Sequence, residues 1–248
     1  MKRTRRKLLQ IALCTFFALA MAPGAESATL SFELDHEFSG ATPPEGDPPW
    51  VRAVFEDHSP GSVLLTLDNF NLTAGEFITE WYFNFESSAE LLQIDLVQAL
   101  NANKQDITTL FADHTLEGIE LGQDDYKADG DGIYDILFHF AKNSNLEESS
   151  YDGRFGAQTQ ALFQITGDGI TAASFNELSA PGGGNGPFAT AAHVQGIGAD
   201  NDYSGWIAPS GGGNLVTTTP EPGTFVLLGA GLLFLGGWVR KRSFAGRP

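Results

Sequence analysis

The end of the chain limits its fate more than any other stretch. Pro220-Glu221-Pro222-Gly223 leads into an uncharged run from Thr224 to Val239, which is followed by Arg240-Lys241-Arg242. At about 1.5 Å per residue, a helix over 224–239 is roughly 24 Å long, slightly short of a hydrocarbon core of about 30 Å. Local thinning of the bilayer makes up the difference, as does snorkelling of Arg240, Lys241 and Arg242 to the headgroups. Trp238 stands where an interfacial aromatic belongs. The basic cluster holds the C-terminus on the cytoplasmic side, so the residues before the helix are expected outside. A buried core helix is the other reading of so short a run, and the terminal basic cluster argues against it. Gly229, Gly231 and Gly236-Gly237 permit close helix contact, but by themselves they say little about dimerisation.

The other end is also built for delivery. Lys2, Arg3, Arg5, Arg6 and Lys7 precede an apolar stretch from Leu8 to Ala22, and Ala25-Glu26-Ser27 offers small residues at both cleavage-defining positions. The pattern predicts a signal peptide over 1–27, cut between Ser27 and Ala28; an uncleaved anchor is the alternative. Cys14 is the only cysteine and lies inside the apolar stretch. Leu13 is too large for a lipoprotein box there. The exported part therefore has no disulfide, and burial and hydrogen bonding must stabilise it.

Pro-Glu-Pro, a glycine-interrupted apolar helix and a short basic end together resemble the PEP-CTERM sorting signal of Gram-negative bacteria. The resemblance implies recognition by exosortase, a multi-spanning membrane enzyme resembling a cysteine protease, with Pro220, Glu221 and Pro222 as the recognition residues and cleavage close to them. It also implies a route through signal peptidase and the export translocon, a transient stay in the inner membrane, and a final place at the cell surface or in the extracellular matrix. Similar tails have been labelled an ice-binding protein C-terminal domain, a label that describes the tail and not an activity.

Between the two ends the charge is lopsided. Of 31 acidic side chains only Glu26 and Glu221 lie outside residues 28–219, and of 14 basic ones only Arg52, Lys104, Lys127, Lys142 and Arg154 lie inside. That leaves 29 acids against 5 bases, a net charge of −24, more extreme than the −17 of the whole chain. Such a surface repels nucleic acid and anionic lipid and attracts cations. A solvated acidic exoprotein is the simplest account of it.

The middle reads as all-β. Leu30, Phe32 and Leu34 alternate with polar residues, as do Val63, Leu65 and Leu67, and each set marks a half-buried strand. In 77–85, Phe77, Trp81, Phe83 and Phe85 are expected on one face, with Glu80 and Asn84 opposite. Further strands are expected at 50–55, at 116–121, through Tyr134, Ile136, Phe138 and Phe140, at 189–196 and at 205–208. Residues 91–100 fit strand or helix, with strand favoured at the front and a helical turn after it. Gly167-Asp168-Gly169 reads as the turn of a hairpin between 160–166 and 170–176. Short strands with frequent turns predict a β-sandwich, jelly-roll-like, over 28–208, joined by a flexible linker at 209–219 to the sorting signal at 220–248. Lys127 to Asp135, Ala192 to Gly196 and Ser204 to Ile207 resemble a group of PEP-CTERM exoproteins, a likeness that brings no activity with it.

Few constellations carry chemistry. Asp124, Asp125, Asp129, Asp131 and Asp135 crowd five carboxylates into twelve residues. An oxygen-seeking divalent cation would relieve their repulsion, so Asp125, Asp129, Asp131 and Asp135 form a candidate Ca²⁺ site. It is not an EF-hand, because Tyr134 and Phe140 stand where Gly and Glu are needed. Asp-Gly-Asp-Gly is equally the composition of a solvated turn. His36, His58, His114, His139 and His193 lack zinc spacing, and His193 reads as a hydrogen-bonded core histidine. No Gly-x-Ser-x-Gly elbow, phosphate loop or dinucleotide fingerprint occurs. Trp50, Trp81, Tyr82 and Trp206 suit core packing or sugar stacking. The expected function is that of a non-enzymatic, exosortase-sorted surface or matrix protein associated with exopolysaccharide or biofilm. A Ca²⁺-dependent carbohydrate-binding module is the alternative, and a secreted glycan-active enzyme the third reading.

Overall fold

A computed structural model describes residues 27–128, 132–144, 146, 151–211 and 213–218. The expected signal helix and the expected membrane helix at 224–239 lie outside the described residues, as do Pro220, Glu221, Pro222, Trp238, Arg240, Lys241 and Arg242. Among the described residues no helix is long and apolar enough to cross a membrane.

The strands are β1 (Ser27–Leu34), β2 (His36–Glu37), β3 (Val51–Ser59), β4 (Ser62–Asp68), β5 (Phe77–Phe83), β6 (Gln93–Leu100), β7 (Leu116–Lys127), β8 (Gly132–Phe140), β9 (Phe155–Gly156), β10 (Gln160–Thr166), β11 (Ala180–Pro181), β12 (Thr190–Ile197), β13 (Tyr203–Ala208) and β14 (Asn214–Thr218). One helix, α1 (Thr108–His114), and two 3-10 turns, Ala89–Leu91 and Ala172–Phe175, complete the described elements. The first sheet runs β14-β1-β3-β4-β10-β6. The second runs β11-β8-β5-β12-β13-β2, with β7 on β8 and β9 on β5. The registered pairs in both sheets are antiparallel. The two sheets pack as a sandwich, as the alternating sequence predicts, and residues 28–217 form one contact unit.

Period-two residues fill the space between the sheets. Leu30, Phe32 and Leu34 from β1, Val63, Leu65 and Leu67 from β4, and Ala161, Phe163 and Ile165 from β10 meet Ile78, Trp81, Phe83, Ile136, Phe138 and Phe140 from the second sheet. Aromatic rings knit the layers. Phe55 stands edge-on to Phe83 at 5.3 Å and stacks on Phe175 at 4.4 Å. Each fully buried large apolar side chain contributes about 1.5–3 kcal/mol of transfer free energy, which supplies the stability that a cysteine-free domain needs.

Two departures from simple alternation shape the rest. In β5 the register slips between His193 and Val194, which oppose Glu80 and Ile78, so Thr79 and Glu80 together face one residue of β12. This bulge resets the parity: Ile78 enters the core and Phe77, expected beside Trp81 and Phe83, faces elsewhere. In β8, Asp135 inserts its carboxylate between neighbouring strands, taking the amide of Phe85 on one oxygen at 2.9 Å and that of Asp124 on the other at 2.8 Å. Pairing with β5 stops at Ile136, and the β7 register shifts between Leu121 and Tyr126. Tyr134, expected in line with Ile136, joins a second cluster around Tyr82 and Leu137 instead.

Three further expectations change. Residues 170–176 do not form the second arm of a hairpin. Thr171 and Ser174 cap each other and close a 3-10 turn, and β10 finds its partners in β4 and β6. Residues 93–100 are strand throughout, and the helical turn precedes them at Ala89–Leu91. Inside the segment expected to be a linker, Asn214–Thr218 forms the edge strand β14 beside β1. It is anchored upstream by Ser210, whose amide and hydroxyl both donate to Asp35, at 2.7 and 2.8 Å. The composition had suggested a free tether; the Asp35 clasp and the sheet edge hold it.

Candidate functional site

A cleft of about 820 Å³ opens where the loops after β4 and β6 meet the loop before β10. Its floor follows from the β5 bulge. Phe77, turned out of the core, lies under the Arg154 guanidinium, 4.3 Å from ring centroid to guanidinium carbon. Arg154 is held in that pose by Asp152, which accepts from Nε at 2.7 Å, from an η nitrogen at 2.5 Å and from the Arg154 amide at 3.0 Å. The result is an ion pair over an aromatic ring, with two guanidinium nitrogens on one oxygen of Asp152 and both charges partly exposed, side chains 26 % and 41 % accessible.

The walls are pinned by buried polar groups. Glu76, almost fully buried, accepts the amides of Glu45 and Thr73, each at 2.7 Å, and so ties two loops together. Asn101 accepts the amides of Asn103 and Gln105, each at 3.0 Å. Tyr151 pairs with the Thr115 hydroxyl, which also meets the Gly153 carbonyl at 2.9 Å. Burial pushes the Tyr151 phenol well above the ordinary tyrosine range. Gln158 sits on the rim at φ +58°, a left-handed conformation uncommon for a side chain of this size, with its amide bonded to Asn69 at 2.6 Å. Phe77 was expected in the core and Arg154 counted only among the bases; the others carry no motif of a site in the sequence. Tyr151-Asp152-Gly153-Arg154 carries the only weak signal, a turn with one of the few bases of the domain inside it.

The acidic turn is placed only in part. Asp129 and Asp131 lie outside the described residues. Asp125 is exposed on β7, and Asp135 is buried with both oxygens engaged by backbone amides. Burial, the largest cause, raises the Asp135 carboxyl above the usual range. The two amides pull it down, and the charges of Asp124 and Asp125 raise it again. Ser27 and Ala28 begin β1. Among the described residues no three His, Cys, Asp or Glu side chains converge as a metal cage.

The outer face of the second sheet carries a polar row. Glu80 stands between His193 and His139 across the strands. His193 stacks on Trp206 at 4.6 Å and 10°, with Nδ1 3.1 Å from the Thr79 hydroxyl. His139 meets Glu120 at 2.7 Å, and Tyr82 donates to Glu80 at 3.2 Å. His193 is thus a packed, hydrogen-bonded residue of the outer face and not of the main core. Trp50 and Trp81 are buried, their indoles donating to the Gly46 carbonyl at 2.6 Å and the Thr190 hydroxyl at 2.9 Å.

The acidic sandwich is followed by a sorting signal. The signal is a PEP-CTERM protein-sorting motif, which matches residues 218–242 and begins where β14 ends. The motif implies export, sorting to the cell surface and processing by exosortase. No curated protein and no solved structure matches the chain.

Proposed function

We propose that the processed chain is a non-enzymatic protein of the cell surface or extracellular matrix, held there in association with exopolysaccharide, and that the cleft around Arg154 makes the contact. The observation that carries this reading is the sorting motif at 218–242 joined directly to a strongly acidic, cysteine-free sandwich. The cleft supports an uncharged, polyhydroxylated ligand. Arg154 is already neutralised by Asp152 and Glu76 is satisfied by two amides. Around them the domain repels polyanions. What remains on offer are the free edges of a guanidinium, carboxylates and amides, donors beside acceptors, which suit vicinal hydroxyls.

The test is affinity electrophoresis of the full chain through gels containing the neutral or the acidic fraction of the producing strain's own exopolysaccharide. Retardation by the neutral fraction is expected, falling at least about tenfold on Arg154→Ala or on Asp47→Ala, a change at a carboxylate that lines the same cleft; a tenfold loss corresponds to about 1.4 kcal/mol. Wild-type chain that runs freely through both gels overturns the reading. Fractionation of cells with and without exosortase tests delivery, the expected result being retention of a heavier, membrane-bound form when the enzyme is missing.

A Ca²⁺-dependent form of the same reading draws on the closeness of Asp124 and Asp125 to Asp135. Calorimetry with millimolar Ca²⁺ checks it, and absence of both heat and melting shift removes it.

A further inference from the structure

The first residue expected after signal cleavage already sits on a carboxylate. The backbone nitrogen of Ala28 donates to Asp57 Oδ2 at 2.8 Å, and Ala28 is only 7 % exposed. The second oxygen, Oδ1, accepts the amide of Ala172 at 2.6 Å, at the start of the 3-10 turn whose Phe175 stacks on Phe55 in the core. Asp57 itself lies on β3, opposite the beginning of β1, where Thr29 faces Glu56. One carboxylate thus fastens three pieces of chain: the start of β1, the end of β3 and the turn after β10.

We propose that Asp57 is the receptor for the α-ammonium group that signal cleavage creates at Ala28. The step is hydrolysis of the Ser27–Ala28 peptide bond. Water adds across it, Ser27 leaves with a carboxylate, and the nitrogen of Ala28 becomes an ammonium. A neutral amide donor is thereby converted into a cation at hydrogen-bond distance from a part-buried carboxylate. Charge-assisted bonds of this kind are shorter and about twice as strong as neutral ones. The ammonium keeps a proton for Oδ2 and gains two more. Cleavage therefore tightens the domain it releases: a charge-assisted bond replaces the neutral one that already ties the start of β1 to the end of β3 and to the turn after β10. The inference rests on the cut falling before Ala28, and not on the polysaccharide reading.

Two forms of the full chain test it, one processed in the cell and one in which Ala25→Leu with Ser27→Leu blocks cleavage, each with and without Asp57→Asn. In the uncleaved form Asp57→Asn removes one acceptor and turns a donor toward the amide of Ala28 or Ala172, with no ion pair to lose. In the processed form it also removes an ion pair, and the melting temperature is expected to fall by roughly 2–4 °C more. An amine-reactive acylating reagent gives a second readout, with the α-amine of Ala28 in the processed chain reacting at least about tenfold more slowly than in its Asp57→Asn variant, since only the free amine reacts. Equal melting losses in both forms with equal labelling rates overturn the proposal. So does a mass that places the processed N-terminus anywhere other than Ala28.

Discussion

Arg154 covers the ring of Phe77, and it does so because the bulge in β5 has turned that ring away from the core. The arrangement is a small stacking unit built from a residue the core cannot use. Arg154→Ala uncovers an aromatic ring and leaves Asp152 without its partner. A loss of about 1–2 kcal/mol is expected in denaturant unfolding, as for a partly desolvated cation–π contact with an added ion pair. Arg154→Lys should restore less than half of that, because an ammonium neither stacks flat nor forks onto Asp152. A full rescue by lysine would show that charge alone holds the cleft floor.

Asp135 gives the fold a pH dependence with a definite sign. Its carboxyl is raised in the folded chain, mainly by burial, so the folded state holds its proton to higher pH than the unfolded chain does. Its contribution is full below the unfolded value of about 3.9 and is lost as pH rises through the folded value. Asp135→Asn removes this titration, but turns a donor toward one of the two amides of Phe85 and Asp124. The cost expected at pH 4 is about 1–3 kcal/mol, and the gap to wild type should narrow as pH rises. Denaturant midpoints from pH 3.5 upward check this, and a gap that widens with pH contradicts the assignment.

The β5 bulge and the Asp135 carboxylate show what was legible in the sequence. Strand positions and inward faces in β1, β4 and β10 follow from alternation, because the extra residues in that sheet fall on their partners, at His58 of β3 and Val97 of β6, and leave their own alternation unbroken. Phe77 and Tyr134 were assigned the wrong face because their parity is set by neighbours distant in sequence: His193 through the bulge, and Phe85 and Asp124 through the Asp135 carboxylate. The helix α1 was missed since only Phe111 of its seven residues is buried, too few to show a 3.6 period. The sorting motif was legible because its recognition lies in local composition, and a match covers 218–242. The cleft was not, because Phe77, Asn101 and Arg154 meet only through tertiary structure.

Alkaline unfolding should report the buried phenols. Burial is the first cause that raises Tyr151 and Tyr82, and for Tyr82 the charge of Glu80 adds to it. Both stay protonated in the fold where an unfolded chain ionises, so stability is intact below about pH 10 and falls as pH climbs further. Phenolate absorbance and loss of near-ultraviolet dichroism should therefore rise together for these two residues. Tyr151→Phe removes one coupled proton and should shift the alkaline midpoint upward, unless loss of the Thr115 contact lowers stability at neutral pH by more. Measuring the variant at pH 7 and pH 10.5 separates the two effects. Phenolate forming well before unfolding would show that these rings are open to solvent.

Gly213 decides whether the last strand docks. A Cβ there would fall 2.6 Å from Leu30 Cδ1 and 2.9 Å from Asn176 Oδ1, and would run into the ring of Phe32. Those neighbours belong to the β1 core row and to the residue after the capped turn, so neither can yield cheaply. Gly213→Val is therefore expected to undock β14 from β1 without unfolding the sandwich, since the remaining strands of that sheet pair independently of it. Amide hydrogen exchange should speed up at Val216 and along the outer edge of β1, while β4 and β10 stay protected. The global denaturant midpoint should fall by about 1–3 kcal/mol in free-energy terms. Unchanged protection along β1 would mean that this edge holds without its neighbour and that 214–218 behaves as the tether its composition suggested.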